Sequence, residues 1–372
     1  MNKHHPQNER MKRRFLSDLK NARGRSVDLV DAVAAAIARF EEHTRYQDFK
    51  KWHPNLAISF KEHMLRQKNP LTGSPLSKST LVVTLGHLRH FFQWLSDRSG
   101  YMSRIRCSDA DYFNLSANDM RIANARRPRP VPTLQQVRHV VASMPATTDI
   151  ERRNRALVAF TLLTGARDMA IASTKLKHVD LKAGSVLQDS REVKTKFRKT
   201  IVTYFMPVGT EVRQIFDDWF VHLRDTLLWG NDDPLFPATR MELGPTLQFQ
   251  AVGLDHKHWS TASPIRAIFR SAFSGAGLQY FNPHSVRFTV AHLGMQLCRT
   301  AEEMKAWSQN MGHAHVLTTI ACYGEVGEQQ QGDIVRRLEE RSRKGSIKVA
   351  DLTEELMIAI KKLQALPPEE AG

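Results

Sequence analysis

Arg167, His284, Arg287, His313 and Tyr323 are residue types that could act on a phosphate ester, a reaction that takes a nucleophile, a proton for the leaving oxygen and positive charge on the non-bridging oxygens. Many enzymes draw that charge from metal ions held by carboxylate clusters. Here His256 with His258, and His313 with His315, have no carboxylate or Cys nearby at a ligand spacing, so neither a metal nor another cofactor is expected. Arginine is the alternative, because guanidinium is always charged and meets phosphate two-pronged. Three segments hold candidates. In LLTGARDMA (162–170), an apolar helix ends at Thr164-Gly165 and Arg167 opens the next. In NPHSVRFTVAHLGMQL (282–297), Pro283 suits a first helical position. Val286, Val290, Leu293 and Leu297 form one face of that helix, and His284 and Arg287 fall roughly opposite, near an N-terminus that favours anions. In MGHAHVLTTIACYG (311–324), Gly312-His313 opens a segment that reaches Tyr323. Singly, each has an ordinary reading: a surface arginine, an amphipathic helix, a helix-end aromatic.

The elements that must position these groups are mostly helical. Spacings of three and four predict helices over 28–45, 55–66, a stretch after an N-cap at Ser77 or Ser79, and 117–126. The connector ANARRPRPVPT then places a domain boundary at about 126–132, since clustered prolines cannot continue a helix. Beyond it come helices near 134–144 and 150–164, a β-like patch over 179–208, and helices near 210–229, 264–274, 283–298 and 301–309. The fold class is therefore mainly α with a small β-sheet (α+β). Residues 1–25 are Lys/Arg-rich and read as a basic flexible arm. The formal net charge of +16, spread along the chain, favours a polyanionic partner. No run of 18 or more apolar residues and no secretory signal is present, so a cytoplasmic, nucleoid-associated location is expected.

Taken together, the order Arg167, then His284-x-x-Arg287, then Gly312-His313, then Tyr323 resembles the catalytic signature of the tyrosine recombinases, or phage integrases. The resemblance covers a catalytic domain at 132–330 and, more loosely, a helical core-binding, DNA-binding domain at 26–127. It implies that Arg167 and Arg287 clamp the scissile phosphate, His284 hydrogen-bonds it or accepts the tyrosine proton, and His313 donates to a phosphate oxygen. Tyr323 would form a 3′-phosphotyrosine, conserving bond energy without ATP. A general-acid lysine on a β-hairpin is assigned to Lys196, with Lys194 second and Lys199 third, in REVKTKFRKTIVTYFMP (191–207), read as strand, charged tip and returning strand. That segment lacks the glycine often found at the tip. Two departures stand out: Ala170 occupies the usual Asp/Glu position, with Asp168 as a substitute, and the interval from Gly-His to Tyr is one residue longer than the commonest. Implied partners are double-stranded DNA with specific recombination sites, a homo-tetramer on that DNA, and accessory DNA-bending proteins. The tail, 331–372, carries the stripe Leu352, Leu356, Ile360 and Leu363, suited to packing on its own or a neighbouring subunit. Two other readings are a non-catalytic DNA-binding protein and a type IB topoisomerase-like relaxing enzyme. A complete set of chemical groups argues against the first, and a helical N-terminal module against the second.

Overall fold

A computed structural model describes residues 4–70, 73–125, 130–245, 247–313, 315–322, 331–333, 335–337 and 339. Tyr323, connector residues 126–129 and the tail stripe lie outside the described residues. The chain divides into two units, Met1–Arg127 and Pro128–Gly372.

The first unit consists of α1 (Pro6–Ser17), α2 (Val27–His43), α3 (Pro54–Arg66), α4 (Lys78–Ser96) and α5 (Ala117–Asn124). Its core is aromatic. Phe40 of α2 meets Phe60, Phe92 and Phe113 edge-on, with ring centroids 5.3, 5.2 and 5.6 Å away. Ser77 caps α4 by accepting from the Thr80 N–H at 3.1 Å. The N-terminal segment corrects the sequence reading, because residues 6–22 are not a flexible arm. Met11, Phe15 and Leu19, four apart, are buried on one side of α1 and the turn after it. Asn8 accepts from the Phe49 N–H at 3.0 Å, and Lys12 pairs with the buried Glu41 at 2.5 Å. Arginines and lysines on the remaining faces mask this narrow stripe in the sequence.

The second unit opens with α6 (Leu134–Ser143) and α7 (Asp149–Thr164). Thr133 and Thr148 start them with reciprocal capping boxes to Gln136 and Glu151. After α8 (Asp168–Ser173), a three-stranded antiparallel sheet of β1 (Val179–Asp180), β2 (Ser185–Gln188) and β3 (Ile201–Tyr204) runs in the order β1-β2-β3. Then come α9 (Thr210–Val221), a hairpin of β4 (Ala238–Leu243) and β5 (Phe249–Asp255), α10 (Ser263–Gly275), α11 (Pro283–Leu297), α12 (Ala301–Asn310) and α13 (Val316–Cys322). The core gathers α7, α9, α10 and α11 through residues such as Phe160, Phe216, Phe269 and Val290, all at most 1% exposed.

The lysine segment also departs from expectation. Its outgoing strand is β2, upstream of the residues read as strand, and 189–200 is a connection. The N–H groups of Glu192 and Val193 both turn back onto the Asp189 carbonyl, at 3.0 and 2.7 Å, so the chain bends where a strand was expected. Among the side chains described there, Val193 alone is buried, as an anchor, with no period-two alternation to sustain a ladder. Where a tip glycine was missing, Arg198 itself takes a left-handed backbone, φ 50°. The hairpin β4–β5 was not anticipated. Arg153, 2% exposed, donates to the Pro237 carbonyl and Thr239 Oγ1 at its base, at 2.8 and 3.0 Å.

Candidate active site

The site forms where the C-terminal end of α7, the N-terminal end of α11 and the turn between α12 and α13 meet. Gly165 closes α7 in the left-handed conformation, φ 58°, donating to the Thr161 carbonyl at 2.9 Å. Two residues later Arg167 caps α8 in an extended conformation, half-buried. This turn leaves the Gly165 carbonyl pointing away from its own helix. Arg287, from the first turns of α11, donates to it through Nη1 at 2.6 Å.

Arg287 requires a correction. The helical wheel set it opposite the apolar face, yet it is 3% exposed and shares the buried side with Val286, Val290 and Ala291. Its burial is tolerable because the guanidinium is satisfied: Nη1 donates to Gly165, and Nη2 to the Met311 carbonyl and to His313 Nε2, the last at 2.8 Å. His284 stays exposed one turn earlier, its ring edge-on to Phe288 at 5.2 Å.

His313 follows Gly312, whose φ of 72° turns the chain out of α12. A Cβ on Gly312 would come within 2.6 Å of Ile201 Cδ1, so β3 packs directly under the turn that presents the histidine. Asn310 ties the same two elements: Oδ1 accepts from the Tyr204 N–H at 2.6 Å and Nδ2 donates to the Tyr204 carbonyl at 2.8 Å. Burial pushes the His313 imidazole down to about 4, and the charges of Arg287, Arg167 and His284 push it the same way. The three groups whose charges act on His313 are also among the six residues picked from sequence.

Lys196 starts a short 3₁₀ turn in the β2–β3 connection and is exposed. Its loop is registered on the arginine helix: the Lys194 N–H donates to Ser173 Oγ of α8 at 2.8 Å. Glu192 further anchors it through Lys177 at 2.9 Å and Lys175 at 3.2 Å. Tyr323 directly follows α13, whose last described residue is Cys322. Asp168, which the sequence offers in place of a carboxylate at Ala170, is half-buried at the start of α8. It pairs with Arg266 of α10 at 2.9 Å and receives the Met169 N–H at 3.0 Å.

Sequence reasoning missed two hydroxyls. Thr319 of α13 lies 2.7 Å from His313 Nδ1, and its own hydroxyl donates to Ser308 Oγ of α12 at 2.7 Å. Both lie inside or beside the quoted His-to-Tyr segment, but a buried hydroxyl contact leaves no signature in spacing. Among the described residues no group of three or more His, Cys, Asp or Glu could hold a metal ion, and no helix is long and apolar enough to cross a membrane.

No family model matches the chain. It is similar to a tyrosine recombinase XerC of Lactobacillus delbrueckii subsp. bulgaricus, 23% identical over 326 residues, which cover 86% of this chain and 95% of that protein. A tyrosine recombinase XerC of Escherichia coli O157:H7 is 21% identical over 273 residues, 73% of this chain and 77% of that one. Among solved structures, the XerH site-specific recombinase bound to a palindromic difH substrate has a TM-score of 0.56 at 14% identity, covering 91% of both chains. A lambda integrase dimer bound to a COC′ core site has the same TM-score of 0.56 at 11% identity, covering 86% of this chain and 96% of that one. The similarity to XerC runs through both units, and the chain shares the fold of these recombinase and integrase structures.

Proposed function

We propose that this protein cuts and rejoins double-stranded DNA at specific sites through a covalent phosphotyrosine at Tyr323, with no metal ion and no ATP. The observation that carries the reading is the convergence of Arg167, His284, Arg287 and His313, with the helix that leads to Tyr323 bonded to His313 through Thr319. A phosphodiester entering there takes Arg287 and Arg167 on its non-bridging oxygens. Their charge is fixed before the reaction, and it offsets the negative charge that builds up in the transition state. The Tyr323 oxygen attacks phosphorus and loses its proton to His284. The bond to the 5′-oxygen breaks, and Lys196 protonates that oxygen. One P–O ester is exchanged for another, so a second 5′-hydroxyl can reverse the step and join a new partner.

The net charge of +16 suits long contact with DNA backbones, and the DNA-bound state of the XerH and lambda integrase structures is in keeping with it. Four protomers on paired sites would complete an exchange of both strands in two duplexes. The test is a suicide DNA substrate whose cleaved end diffuses away, trapping the adduct. Wild-type protein should become covalently attached, and Tyr323→Phe should bind the DNA equally well with no adduct. An adduct of normal yield from Tyr323→Phe excludes the assignment.

A further inference from the structure

The hydrogen bonds around His313 determine which of its nitrogens carries the proton, and they do so twice over. Arginine has donors and no acceptor, so the 2.8 Å contact between Arg287 Nη2 and His313 Nε2 requires a bare, accepting Nε2. On the other side of the ring, Thr319 has one hydroxyl proton, and it is directed to Ser308 Oγ at 2.7 Å. Thr319 can therefore only accept from His313 Nδ1, 2.7 Å away, which must be protonated. Both arguments give the same neutral form, Nδ1–H with an unprotonated, accepting Nε2. Ser308 and Thr319 are 1% and 0% exposed, so water does not compete for these hydroxyls.

We propose that Thr319, oriented by Ser308, is a positioning residue that holds the Nδ1 proton of His313 in place, so that the ring exchanges its proton only at Nε2, the nitrogen facing Arg287. This rests on the reading of the site given above and extends it in one respect. Thr319 sits on α13, four residues before Tyr323 in the sequence, so the same hydroxyl couples the ring's tautomer to the seating of the helix that leads to the nucleophile. When a phosphate oxygen draws Arg287 away from Nε2, that nitrogen is left facing the anion, able to take up a proton and donate it. A ring that swapped tautomers would for part of the time set an N–H against the Arg287 donor, losing that contact and the fixed place for the incoming proton.

The test uses the full chain with ¹⁵N-labelled histidine, the His313 signals being assigned by their loss in His313→Gln. At neutral pH without DNA, wild type should show a protonated-type Nδ1 and a bare-type Nε2. Thr319→Val, matched in shape, leaves the Nδ1 proton without its acceptor, a cost that offsets the Arg287 contact, and should move both shifts toward an average of the two tautomers. On a suicide substrate it should form adduct about 10- to 100-fold more slowly, with DNA affinity within about threefold, the scale seen when a group orienting a functional histidine is removed. Thr319→Ser, which keeps the hydroxyl, should restore both the shifts and the rate. The proposal is overturned if Thr319→Val keeps the wild-type ring shifts, if its adduct rate is unchanged, or if Thr319→Ser is as slow as Thr319→Val. Should wild type itself form no adduct, the recombinase chemistry fails, while the ring shifts still decide the tautomer.

Discussion

Arg287 and Gly165 are 122 residues apart in the sequence, yet the arginine Nη1 donates to the glycine carbonyl at 2.6 Å. That bond fastens the start of α11 to the turn that carries Arg167. One arginine of the proposed phosphate clamp therefore fixes the backbone of the other. The two cannot be positioned independently.

Arg287→Lys should accordingly damage both stability and chemistry. A lysine has one nitrogen and cannot reach the Gly165 and Met311 carbonyls and His313 Nε2 together. Leaving a buried acceptor without a donor costs about 1–3 kcal/mol. Urea unfolding of the variant should show a loss of about 2 kcal/mol in the second unit, and adduct formation should fall by at least about 100-fold, in line with removal of a preorganised charge donor. Unfolding that matches wild type would mean the three bonds contribute little.

The two left-handed glycines of the site should respond differently to alanine. At Gly165, φ 58°, an added Cβ meets nothing nearer than 3.8 Å, so Gly165→Ala should cost only the backbone strain, about 1 kcal/mol. At Gly312, φ 72°, the same atom comes within 2.6 Å of Ile201 Cδ1. Gly312→Ala should therefore cost more than Gly165→Ala and move His313 as Ile201 turns away. Ile201→Val deletes the offending methyl, so the double variant should lose only the strain. A double-mutant cycle with no coupling would show that β3 does not constrain the histidine turn.

How much of this could be read from the residues follows from what each signal depends on. Periodicity marked out the helices, because side chains on one face of a helix recur every three to four residues whatever the surroundings. The caps at Ser77, Thr133 and Thr148 lie where short-range chemistry puts them. The clustering of Arg167, His284, Arg287 and His313 was inferred from their order and resemblance, and no local rule could supply it. Three features escaped for physical reasons. Arg287 is buried by partners 122 and 24 residues away, which a helical wheel cannot include. The 189–200 connection bends because two N–H groups share the Asp189 carbonyl, a choice made by backbone geometry. The Thr319 and Ser308 hydroxyls join the site only through contacts, and Thr and Ser are common everywhere.

The helix at the N-terminus gives a test that separates a packed element from a tethered arm. Phe15 is 1% exposed and its ring lies 5.3 Å from Phe91 and 5.1 Å from Trp94. Phe15→Ala should destabilise the first unit by about 3–5 kcal/mol, the usual cost of emptying an aromatic site in a core. A side chain on a mobile arm would change stability by no more than about 0.5 kcal/mol. Chemical unfolding followed by tryptophan fluorescence distinguishes these outcomes, since Trp52 and Trp94 both lie in that core.

The depressed His313 titration makes a prediction about pH with a definite sign. Its ring is held down to about 4, by burial first and then by Arg287, Arg167 and His284, whereas an unfolded histidine titrates near 6.5. Between those values the unfolded chain binds a proton that the folded site refuses, so stability contributed by this group is complete above pH 6.5 and is lost as the pH falls toward 4. Burial depresses His43, His87, His178 and His258 in the same direction, so wild-type protein should weaken through this window for several reasons at once. The His313 share is the difference in pH slope between wild type and His313→Gln, which should approach one proton. Bound DNA reverses the local balance: a phosphate beside Nε2 replaces part of the positive surroundings with negative charge, and the ring's affinity for a proton rises. Binding of the target duplex at pH 6 should thus take up protons, seen as a dependence of the calorimetric heat on the buffer's own ionisation heat. His313→Gln should abolish that part of the dependence. Identical uptake in both proteins would place the linked proton on another group and leave His313 neutral in the complex.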